Sequence, residues 1–412
     1  MNWEEVKIGE IATLINGRGF KPHEWSSTGL PIIRIQNLNG SSEFNFYTGE
    51  FAEKIRVRQG DLLFAWSGSR GSSFGPHFWK RSENGLLNYH IWRIECSERV
   101  DKLFFFAVLQ QLTLQIESDA HGAAGLVHTQ KNIVEKWKVR LPSMPVQRKI
   151  AAILTTIDRK IEIQEKLIEA RTERQRGLRQ QLLSGATRFP EYRNKPWVER
   201  RLEDVAQNES QRNGSRFGTD RLYGVTKTEG VIPMREHVKG EKFERCKLVE
   251  PNWFAYNPMR LNIGSIARWQ GEREVMVSGD YVVFSCDERL LAPEYLDHLR
   301  RTRLWEHFVN ASGNGSVRVR IYFKDLGRIR FSLPPIEEQR RIAQLLDTGD
   351  REIVLLKRQL HALREQKRGL MQKLLTGEWK VSVDEEADVP KPRKKAKKKD
   401  KASRKQTRRR KK

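Results

Sequence analysis

The sequence predicts an α+β protein in which two globular domains are separated by two long helices that form a coiled coil. Three observations support this fold class. One segment of the chain recurs 192 residues further on, its apolar residues follow helical spacing, and the stretches between the copies resemble short strands broken by turns. The recurrence also predicts a pseudo-twofold internal repeat. The composition of residues 379–412 predicts a disordered basic tail.

The repeated segment begins at Leu141 in the first copy and at Leu333 in the second, and it continues without a gap to Gly185 and Gly377. Between Gln147 and Gly185, 18 of 39 positions are identical in the two copies. A large unit that occurs twice indicates two equivalent binding positions at a fixed distance from each other.

Each copy of the repeat has the pattern of one long helix. Prolines such as Pro142 and Pro334 precede the periodic residues, and Gly185 and Gly377 stand where a C-terminal cap belongs. About 40 residues of helix extend for about 60 Å. A helix with one apolar stripe needs a partner, and the nearest is the other copy, although packing of each helix on its own globular neighbour is an alternative. The residues at 3–4 spacing are Ile150, Leu154, Ile157, Ile161, Ile168, Leu178 and Leu182, then Ile342, Leu346, Ile353, Leu356, Leu360, Leu363, Leu370 and Leu374.

The globular stretches before the helices have similar sizes and little sequence in common. Strands are predicted at 31–35, 61–65, 88–94, 222–225 and 281–284, and a helix late in each stretch, at 102–115 and 293–309. The predicted domains are 1–144, a helical region 145–190, 191–336, a second helical region 337–378, and the tail 379–412. Alike helices imply a shared mechanical role, whereas unlike globular domains imply different ligands.

The chain carries a net charge of +25 and has a pI near 10.1, which suits a polyanionic partner. Nucleic acid is the first candidate and an anionic membrane surface the second. Residues 390–412 contain 15 Lys or Arg and one Asp, which amounts to +14. The three cysteines match no zinc or disulfide spacing, so a reducing cytoplasm is expected. The sequence has neither an apolar run of bilayer length nor the apolar core of a signal peptide.

Catalytic motifs are missing from the sequence. It has no phosphate-binding loop of the Gly-x-x-x-x-Gly-Lys type, and its nine histidines form no pairs at metal-ligand spacing. The segment 257–260 resembles the Asn-Pro-Pro-aromatic motif of adenine methyltransferases, but its third and fourth residues, Met259 and Arg260, do not match. We therefore expect a chain without catalytic residues, metal or cofactor of its own. A lone nuclease or methyltransferase stays open as an alternative.

Polar and cationic side chains cluster in loop-like segments of both globular domains. Arg, Asn and Gln have forked donors and acceptors that fit guanine and adenine edges, whereas Ser and glycine-flanked amides suit phosphates. An ordinary solvated role is the alternative for each residue taken alone. The DNA-binding candidates are Arg34, Gln36, Asn37, Ser67, Ser69, Arg70 and His128 in the first domain, and Arg260, Asn262, Ser265, Arg268, Arg318 and Arg320 in the second. Arg318 and Arg320 alternate and are expected on one face of a strand.

The chain resembles the specificity subunits of bacterial Type I restriction-modification systems. The resemblance is carried by the two Leu-Pro-x-x-x-x-Gln-Arg-[Lys/Arg]-Ile-Ala segments, each leading into a long helix that ends in Leu-Leu-[Ser/Thr]-Gly. The segments 31–38 and 60–68 in the first domain, and 264–268 and 278–284 in the second, are also similar to this family. The similarity extends to about Trp379, beyond which the basic tail departs from the family pattern.

This resemblance implies that each globular domain reads one half of a split double-stranded DNA target. It also implies that the two long helices are antiparallel and form a coiled coil that acts as a ruler. It also implies two methyltransferase (modification) subunits, a motor-nuclease (restriction) subunit, and binding of S-adenosylmethionine, ATP and magnesium by those partners. A bacterial or archaeal cytoplasm is the expected location. Gln147, Arg148, Gln339 and Arg340 occupy equivalent repeat positions and are the partner-binding candidates, with helix-start chemistry inside this chain as the alternative. A coiled-coil interaction protein with a nonspecific basic tail is the alternative function.

Overall fold

A computed structural model describes residues 3–119, 125–235, 243–311 and 320–382 of the chain. The chain divides into two compact units. Unit 1 contains residues 1–161 and 363–412, and unit 2 contains residues 162–362. The two long helices are Met144–Leu183 and Ile336–Leu375, with 40 residues each. Each unit therefore contains one globular domain, part of the helix that follows it, and part of the other helix.

The long helices pair in an antiparallel manner within each unit. In unit 2, Gln164 Nε2 donates to the carbonyl oxygen of Leu356 at 3.0 Å, and Gln175 Nε2 to that of Leu346 at 2.6 Å. The partner position falls as the position in the first helix rises, which is the antiparallel register. In unit 1, Ile150, Leu154, Leu370 and Leu374 belong to one apolar cluster, and in unit 2 Leu178, Leu182, Ile342 and Leu346 do the same.

Both long helices end in the same way. Gly185 and Gly377 have positive φ angles of 74° and 75°, as the sequence predicts for C-terminal caps. A Cβ atom at Gly185 would lie 3.3 Å from the ring of Trp197, and one at Gly377 would lie 3.3 Å from the ring of Trp3. The start of a globular domain thus packs on the end of a long helix in each unit.

The first globe, the part of unit 1 that precedes the first long helix, contains two four-stranded sheets and two strand pairs. The larger helix on it is Lys102–Asp119, and the short helices are Ile8–Ile11, Ile35–Leu38 and Lys131–Lys136. One sheet has the antiparallel order Ala12–Asn16, Ile91–Cys96, Leu62–Ala65, Gly75–Phe78. The other has the order Phe46–Tyr47, Leu30–Ile33, Gly85–Leu87, Arg56–Val57. The pairs are Glu4–Lys7 with Lys138–Leu141 and Ser67–Ser69 with Leu126–His128.

The second globe, the part of unit 2 between the long helices, is built around one four-stranded sheet. Its strand order is Ala206–Glu209, Val282–Cys286, Phe254–Tyr256, Ile266–Arg268. The strand pairs are Val198–Arg201 with Arg330–Leu333, Tyr223–Thr226 with Gly230–Pro233, and Lys247–Val249 with Val275–Val277. Its helices are Pro293–Leu299, Arg303–Ala311 and Phe323–Leu326.

The predicted α+β fold class, with two globular domains and long paired helices, is confirmed, and some details differ. The predicted strand 31–35 is the strand Leu30–Ile33 followed by a helical turn. The predicted helix 293–309 is two helices, because Thr302 Oγ1 accepts from the Trp305 amide and starts a second helix. The domain boundaries themselves stay predictions. At its C-terminal side, the described chain packs against the core of unit 1 as far as Val381.

Two further predictions concern sequence stretches at the margins of the described chain. Arg318 lies outside the described residues, as does most of the basic tail. Arg320 is described, but its backbone belongs to no strand, so the predicted shared strand face is not observed for it.

In the described ranges, no helix combines the length and the apolar composition that a membrane span requires.

Candidate nucleic-acid interface and helix starts

Gln147 lies in the first turn of the first long helix and is buried, with 1% of its surface exposed. Its Nε2 donates to the carbonyl oxygens of Pro142 at 2.9 Å and Arg99 at 3.0 Å, and its Oε1 accepts from the amide of Asp101 at 2.8 Å. The side-chain amide therefore ties the start of the helix to the segment that enters Lys102–Asp119.

Gln339 repeats this arrangement in unit 2 and is also 1% exposed. Its Nε2 donates to the carbonyl oxygens of Pro334 and Leu290 at 2.9 Å each, and its Oε1 accepts from the amide of Ala292 at 3.0 Å. Because both glutamines are buried and fully hydrogen-bonded inside the chain, their placement argues against the prediction that they bind a partner. It agrees instead with helix-start chemistry, which was the alternative.

The neighbouring arginines are placed differently. Arg148 and Arg340 are exposed one residue beyond the glutamines. Arg340 Nη2 makes a long hydrogen bond of 3.3 Å to the carbonyl oxygen of Glu288. An exposed guanidinium at the start of each long helix can contact another protein, so partner binding stays a prediction for Arg148 and Arg340.

Asn37 is one of the sequence-predicted DNA-binding residues, and the structure buries it, with 4% exposed. Its Oδ1 accepts from the Arg34 amide at 2.9 Å, and its Nδ2 donates to the carbonyl oxygens of Glu43 at 2.8 Å and Ser41 at 3.2 Å. These three hydrogen bonds all lie within the loop that follows the strand Leu30–Ile33. Asn37 therefore shapes this loop and does not present its amide to a ligand.

Arg34 and Gln36 lie on the same loop with different exposures. The guanidinium of Arg34 packs 4.5 Å from the centre of the Trp25 ring and donates to the side chain of Asn45. This half-buried position leaves Arg34 little freedom to reach a base. Gln36 is exposed, with only a long contact of 3.5 Å from its Nε2 to the carbonyl oxygen of Glu43, and is better placed for a ligand.

The other candidates of the first globe come together on one strand pair. Ser67 lies opposite His128, and Ser69 lies opposite Leu126, although about 60 residues separate them in the sequence. Ser69, Arg70 and His128 are exposed, and Ser67 is half-buried. We call Ser67, Ser69, Arg70 and His128 the strand-pair cluster. It offers hydroxyl, imidazole and guanidinium groups on one surface, as expected of a nucleic-acid contact.

A column of aromatic rings, which the sequence did not indicate, leads from the core of the first globe to the surface beside this cluster. Each ring centre lies 3.7 to 6.1 Å from the next. In order from the core outward, the rings belong to Phe74, Phe64, Trp92, Trp66, His90 and Tyr89. Tyr89 is the exposed end, with 49% of its surface accessible. Ring contacts depend on the tertiary fold, so periodicity could not have shown the column.

In the second globe, Arg260 and Asn262 are exposed on the loop between the strands Phe254–Tyr256 and Ile266–Arg268. Two backbone hydrogen bonds of 3.0 Å stabilise the loop. The Arg260 amide donates to the carbonyl oxygen of Asn257, and the Ser265 amide donates to the carbonyl oxygen of Arg260. Ser265 is buried, and its Oγ donates to the carbonyl oxygen of Val225 at 3.0 Å. Ser265 therefore stabilises the loop, while Arg260 and Asn262 project from it.

Arg268 is the candidate whose environment differs most from the sequence-based prediction. Only 10% of its side chain is exposed. Its Nη1 donates to Asn252 Oδ1 at 2.7 Å and to Glu294 Oε1 at 3.3 Å. It lines a cleft of about 690 Å³ together with Asn262. Both hydrogen bonds are made by Nη1, and the buried Nε has no hydrogen-bond partner among the described residues. The placement argues against base reading by Arg268.

A buried ion-pair network connects the second globe to both long helices within unit 2. Asp297 accepts from Arg300 Nη2 at 2.6 Å and Arg301 Nη2 at 3.0 Å. Arg301 Nη1 also reaches Asp350 at 3.1 Å on the second long helix, and Arg179 of the first long helix donates to Asp350 at 2.8 Å. Burial raises the pKa of Asp297, but the charges of Arg300 and Arg301 more than offset it and hold that pKa below its usual value.

The described residues provide little for catalysis. In those ranges, no group of three or more His, Cys, Asp or Glu residues could hold a metal ion. Burial raises the pKa of the Cys96 thiol to about 11, so this group is protonated at neutral pH. Burial also raises the pKa of Cys286.

Two unlike globes, each joined to paired helices by a glutamine at the equivalent repeat position, define a two-module protein with a repeated scaffold. The model of the family described as "Type I restriction modification DNA specificity domain" matches residues 1–170 and 194–365. The chain therefore belongs to the family of Type I restriction-modification specificity subunits, as its repeats and motifs predicted.

Individual relatives agree with this assignment. The EcoBI specificity subunit of Escherichia coli is 25% identical over 188 residues, 45% of this chain, and the match spans only 38% of that relative. The MjaVIII specificity subunit of Methanocaldococcus jannaschii is 21% identical over 430 aligned residues, covering 92% of this chain and 93% of that one. The crystal structure of the S subunit of a Type I system from M. genitalium shares the fold, with a TM-score of 0.57 at 14% identity, covering 93% of this chain and 97% of that one.

Proposed function

We propose that this chain is the non-catalytic DNA-recognition subunit of a Type I restriction-modification complex and that it reads a bipartite target, one half-site per globe. The observation that carries the proposal is the repeated joint at Gln147 and Gln339. It attaches two unlike globes to alike helices through the same hydrogen bonds. Identical attachment with divergent globes is what two readers of different sequences need.

For the first half-site, the exposed residues of the strand-pair cluster and Gln36 are the proposed contacts. Arg70 can pair with a phosphate or with the O6 and N7 acceptors of guanine, and Gln36 can pair with adenine. For the second half-site, Arg260 and Asn262 have the same chemistry on one exposed loop. Asn37 and Ser265 stabilise the loops that carry Gln36 and Arg260, respectively.

The long helices supply the spacing in this proposal. A helix of 40 residues is about 60 Å long. Two domains that read the same face of B-DNA must be separated by a whole number of helical turns, each about 34–36 Å long. The DNA between the half-sites then has a fixed length without being read. Two methyltransferase subunits dock at the helix starts, near Arg148 and Arg340, and a motor-nuclease subunit joins for cleavage. S-adenosylmethionine, ATP and magnesium bind to those partners.

The decisive experiment is to express the chain with a methyltransferase subunit and determine the methylated genomic motif. We expect two short specified blocks separated by a spacer of fixed length. The purified chain alone, supplied with S-adenosylmethionine, ATP and magnesium, is expected to leave DNA unchanged. A single uninterrupted motif, or turnover by the repurified lone chain, would contradict the proposal.

Deletion of residues 390–412 separates this function from that of a coiled-coil protein whose basic tail alone meets nucleic acid. Phosphate contacts carry no sequence information, so the deletion is expected to weaken specific and nonspecific DNA together and to reduce the salt dependence of binding. The recognised motif is expected to stay the same. Loss of all DNA binding on deletion would favour the tail-only alternative.

A further inference from the structure

We infer that the first globe carries a base-stacking site, at which the ring of Tyr89 packs against the face of one nucleobase of the first half-site. The inference rests on the proposed function, because it requires duplex DNA on the first globe. It adds a ligand contact that is aromatic rather than cationic or hydrogen-bonding.

The turn that carries Tyr89 is rigid. It connects the strands Gly85–Leu87 and Ile91–Cys96, and the Ile91 amide donates to the carbonyl oxygen of Asn88 at 3.2 Å across it. A second segment crosses so closely that a Cβ at Gly17 would lie 2.1 Å from that same oxygen. Such a crossing tolerates no side chain at position 17, and it holds the turn in place.

Neighbouring aromatic residues contact both the backbone and the ring of Tyr89. Its own carbonyl oxygen accepts a hydrogen bond of 2.8 Å from the indole nitrogen of Trp66. Its ring lies 3.7 Å from the ring of His90, which in turn lies 5.1 Å from the ring of Trp66. The column continues to Trp92 and the buried core. An aromatic ring held in this way loses little conformational entropy when its exposed face is covered, which is the property of a preorganised contact.

The groups around Tyr89 suit a base better than a phosphate. Trp66 is followed by Ser67, and the amide of Thr129, the residue after His128, donates to the carbonyl oxygen of Trp66 at 2.9 Å. The turn therefore adjoins the Ser67–His128 end of the strand-pair cluster. Burial lowers the pKa of His90, which keeps this imidazole neutral at pH 7. Arg70, the guanidinium of the cluster that would pair most strongly with a phosphate, lies at the other end of the strand.

Base faces are covered by neighbouring bases in B-DNA, so contact with Tyr89 requires an opened base step. Proteins that open a step insert a rigid side chain and recover the cost of unstacking from the new contacts. The free energy of stacking between a base and an aromatic ring can offset the cost of unstacking the step. The first globe is thus expected to distort one step of its half-site locally.

The test uses the full chain assembled with its methyltransferase partner and a duplex that carries the methylated motif. 2-Aminopurine replaces, one at a time, the bases of the first half-site other than the methylated adenine, which the methyltransferase partner itself extrudes. Its fluorescence is measured with the wild-type chain, Tyr89→Phe, Tyr89→Leu and Tyr89→Ala. We expect the fluorescence to rise at one position with the wild-type chain and Tyr89→Phe. The rise should be absent with Tyr89→Ala and Tyr89→Leu, and Tyr89→Ala should weaken binding by about 5- to 150-fold.

Tyr322→Ala is the matched control, because Tyr322 is an exposed tyrosine, 44% accessible, of the second globe. It should leave the signal at the first half-site unchanged. Specific binding by the wild-type assembly with no fluorescence rise at any position would overturn the stacking site and leave the proposed function standing. Equal DNA affinity of Tyr89→Ala, or a loss of methyltransferase recruitment by it, would also overturn the site. Absence of any sequence-specific binding by the wild-type assembly would contradict the proposed function itself.

Discussion

Lys367 and Asp158 form an ion pair across the two long helices in unit 1, with Nζ 2.6 Å from Oδ1. In unit 2, the residues at the equivalent repeat positions, Gln175 and Asp350, are joined by a hydrogen bond of 3.0 Å from Nε2 to Oδ1. The same register of antiparallel helices therefore occurs in both units. The side chains at these positions differ between the units. The pair in unit 1 is ionic, and the pair in unit 2 is a hydrogen bond between an amide and a carboxylate.

This shared register leads to a prediction about the spacer. Inserting one heptad into the middle of both helices, between Ile157 and Ile161 and between Leu356 and Leu360, keeps the apolar seam in phase. Seven residues add about 10 Å, or about three base pairs of B-DNA. We expect the methylated motif to acquire a longer spacer with unchanged half-sites. Insertion into one helix alone is the control and should disrupt the pairing. An unchanged spacer would show that the helices do not set the distance.

The glutamine joints should matter for stability. Gln339→Ala leaves the carbonyl oxygen of Pro334 and the amide of Ala292, both in buried hydrogen bonds, without their partner. Each unsatisfied buried group costs about 1–3 kcal/mol. We expect a clear fall in the free energy of unfolding, measured by urea denaturation, and the same for Gln147→Ala. Gln344→Ala removes an exposed glutamine from the same helix and should have little effect. Unaltered stability of both joint variants would refute the structural role assigned to these residues.

Asp297 makes unit 2 sensitive to acid. Its pKa is held below the ordinary value of about 4, so its stabilising contribution is present above that pH and is lost as the pH falls through the lowered pKa. Asp297→Asn removes one partner of a buried ion pair and should cost about 3–5 kcal/mol at pH 7. We expect the difference from wild type to shrink below about pH 4 in urea unfolding curves measured across pH.

Asp220→Asn is the matched control for that experiment, because the Asp220 carboxylate is 77% exposed. Its effect at pH 7 should be small. A constant difference between wild type and Asp297→Asn from pH 3 to pH 7 would show that the charge of Asp297 is not the cause.

Exposed and buried arginines of the second globe should behave differently. Arg260→Ala is expected to weaken specific binding by about 1–3 kcal/mol and to relax one base position of one half-site. Arg268→Ala should instead lower stability, because the hydrogen bonds to Asn252 and Glu294 are lost. Arg70→Ala should act only on the half-site of the first globe. Binding to a library that varies every position of the target separates these outcomes. Uniform weakening of all sequences by Arg260→Ala would mean that it contacts phosphate.

The arginines at the helix starts are predicted to recruit the partner. The double variant Arg148→Glu, Arg340→Glu should reduce methyltransferase recruitment in a pull-down while the thermal stability of the chain stays close to that of wild type. Both side chains are exposed, so the reversal disturbs no buried contact of the glutamine joint. Normal assembly by the double variant would show that the helix starts serve only the fold.

The long helices were predictable because their signals are local. Spacing of apolar residues, prolines before the first turn and glycines after the last are all visible in the sequence, and Gly185 and Gly377 have the expected positive φ. The roles of polar loop residues were not predictable in the same way. Asn37 and Ser265 look like exposed ligand contacts, yet both are buried and hydrogen-bonded to backbone carbonyls. Burial of a polar side chain depends on which segments the fold brings over it.

The glutamine joint also has an evolutionary consequence. The side-chain hydrogen bonds of Gln147 and Gln339 to the described parts of their globes are made to main-chain carbonyl oxygens and amides. Any globe with the right backbone path satisfies the joint, whatever its side chains are. A gene of this kind can therefore exchange the coding region of one globe by recombination at the flanking repeats. The descendant would inherit an intact assembly scaffold and address a new genomic sequence after a single event.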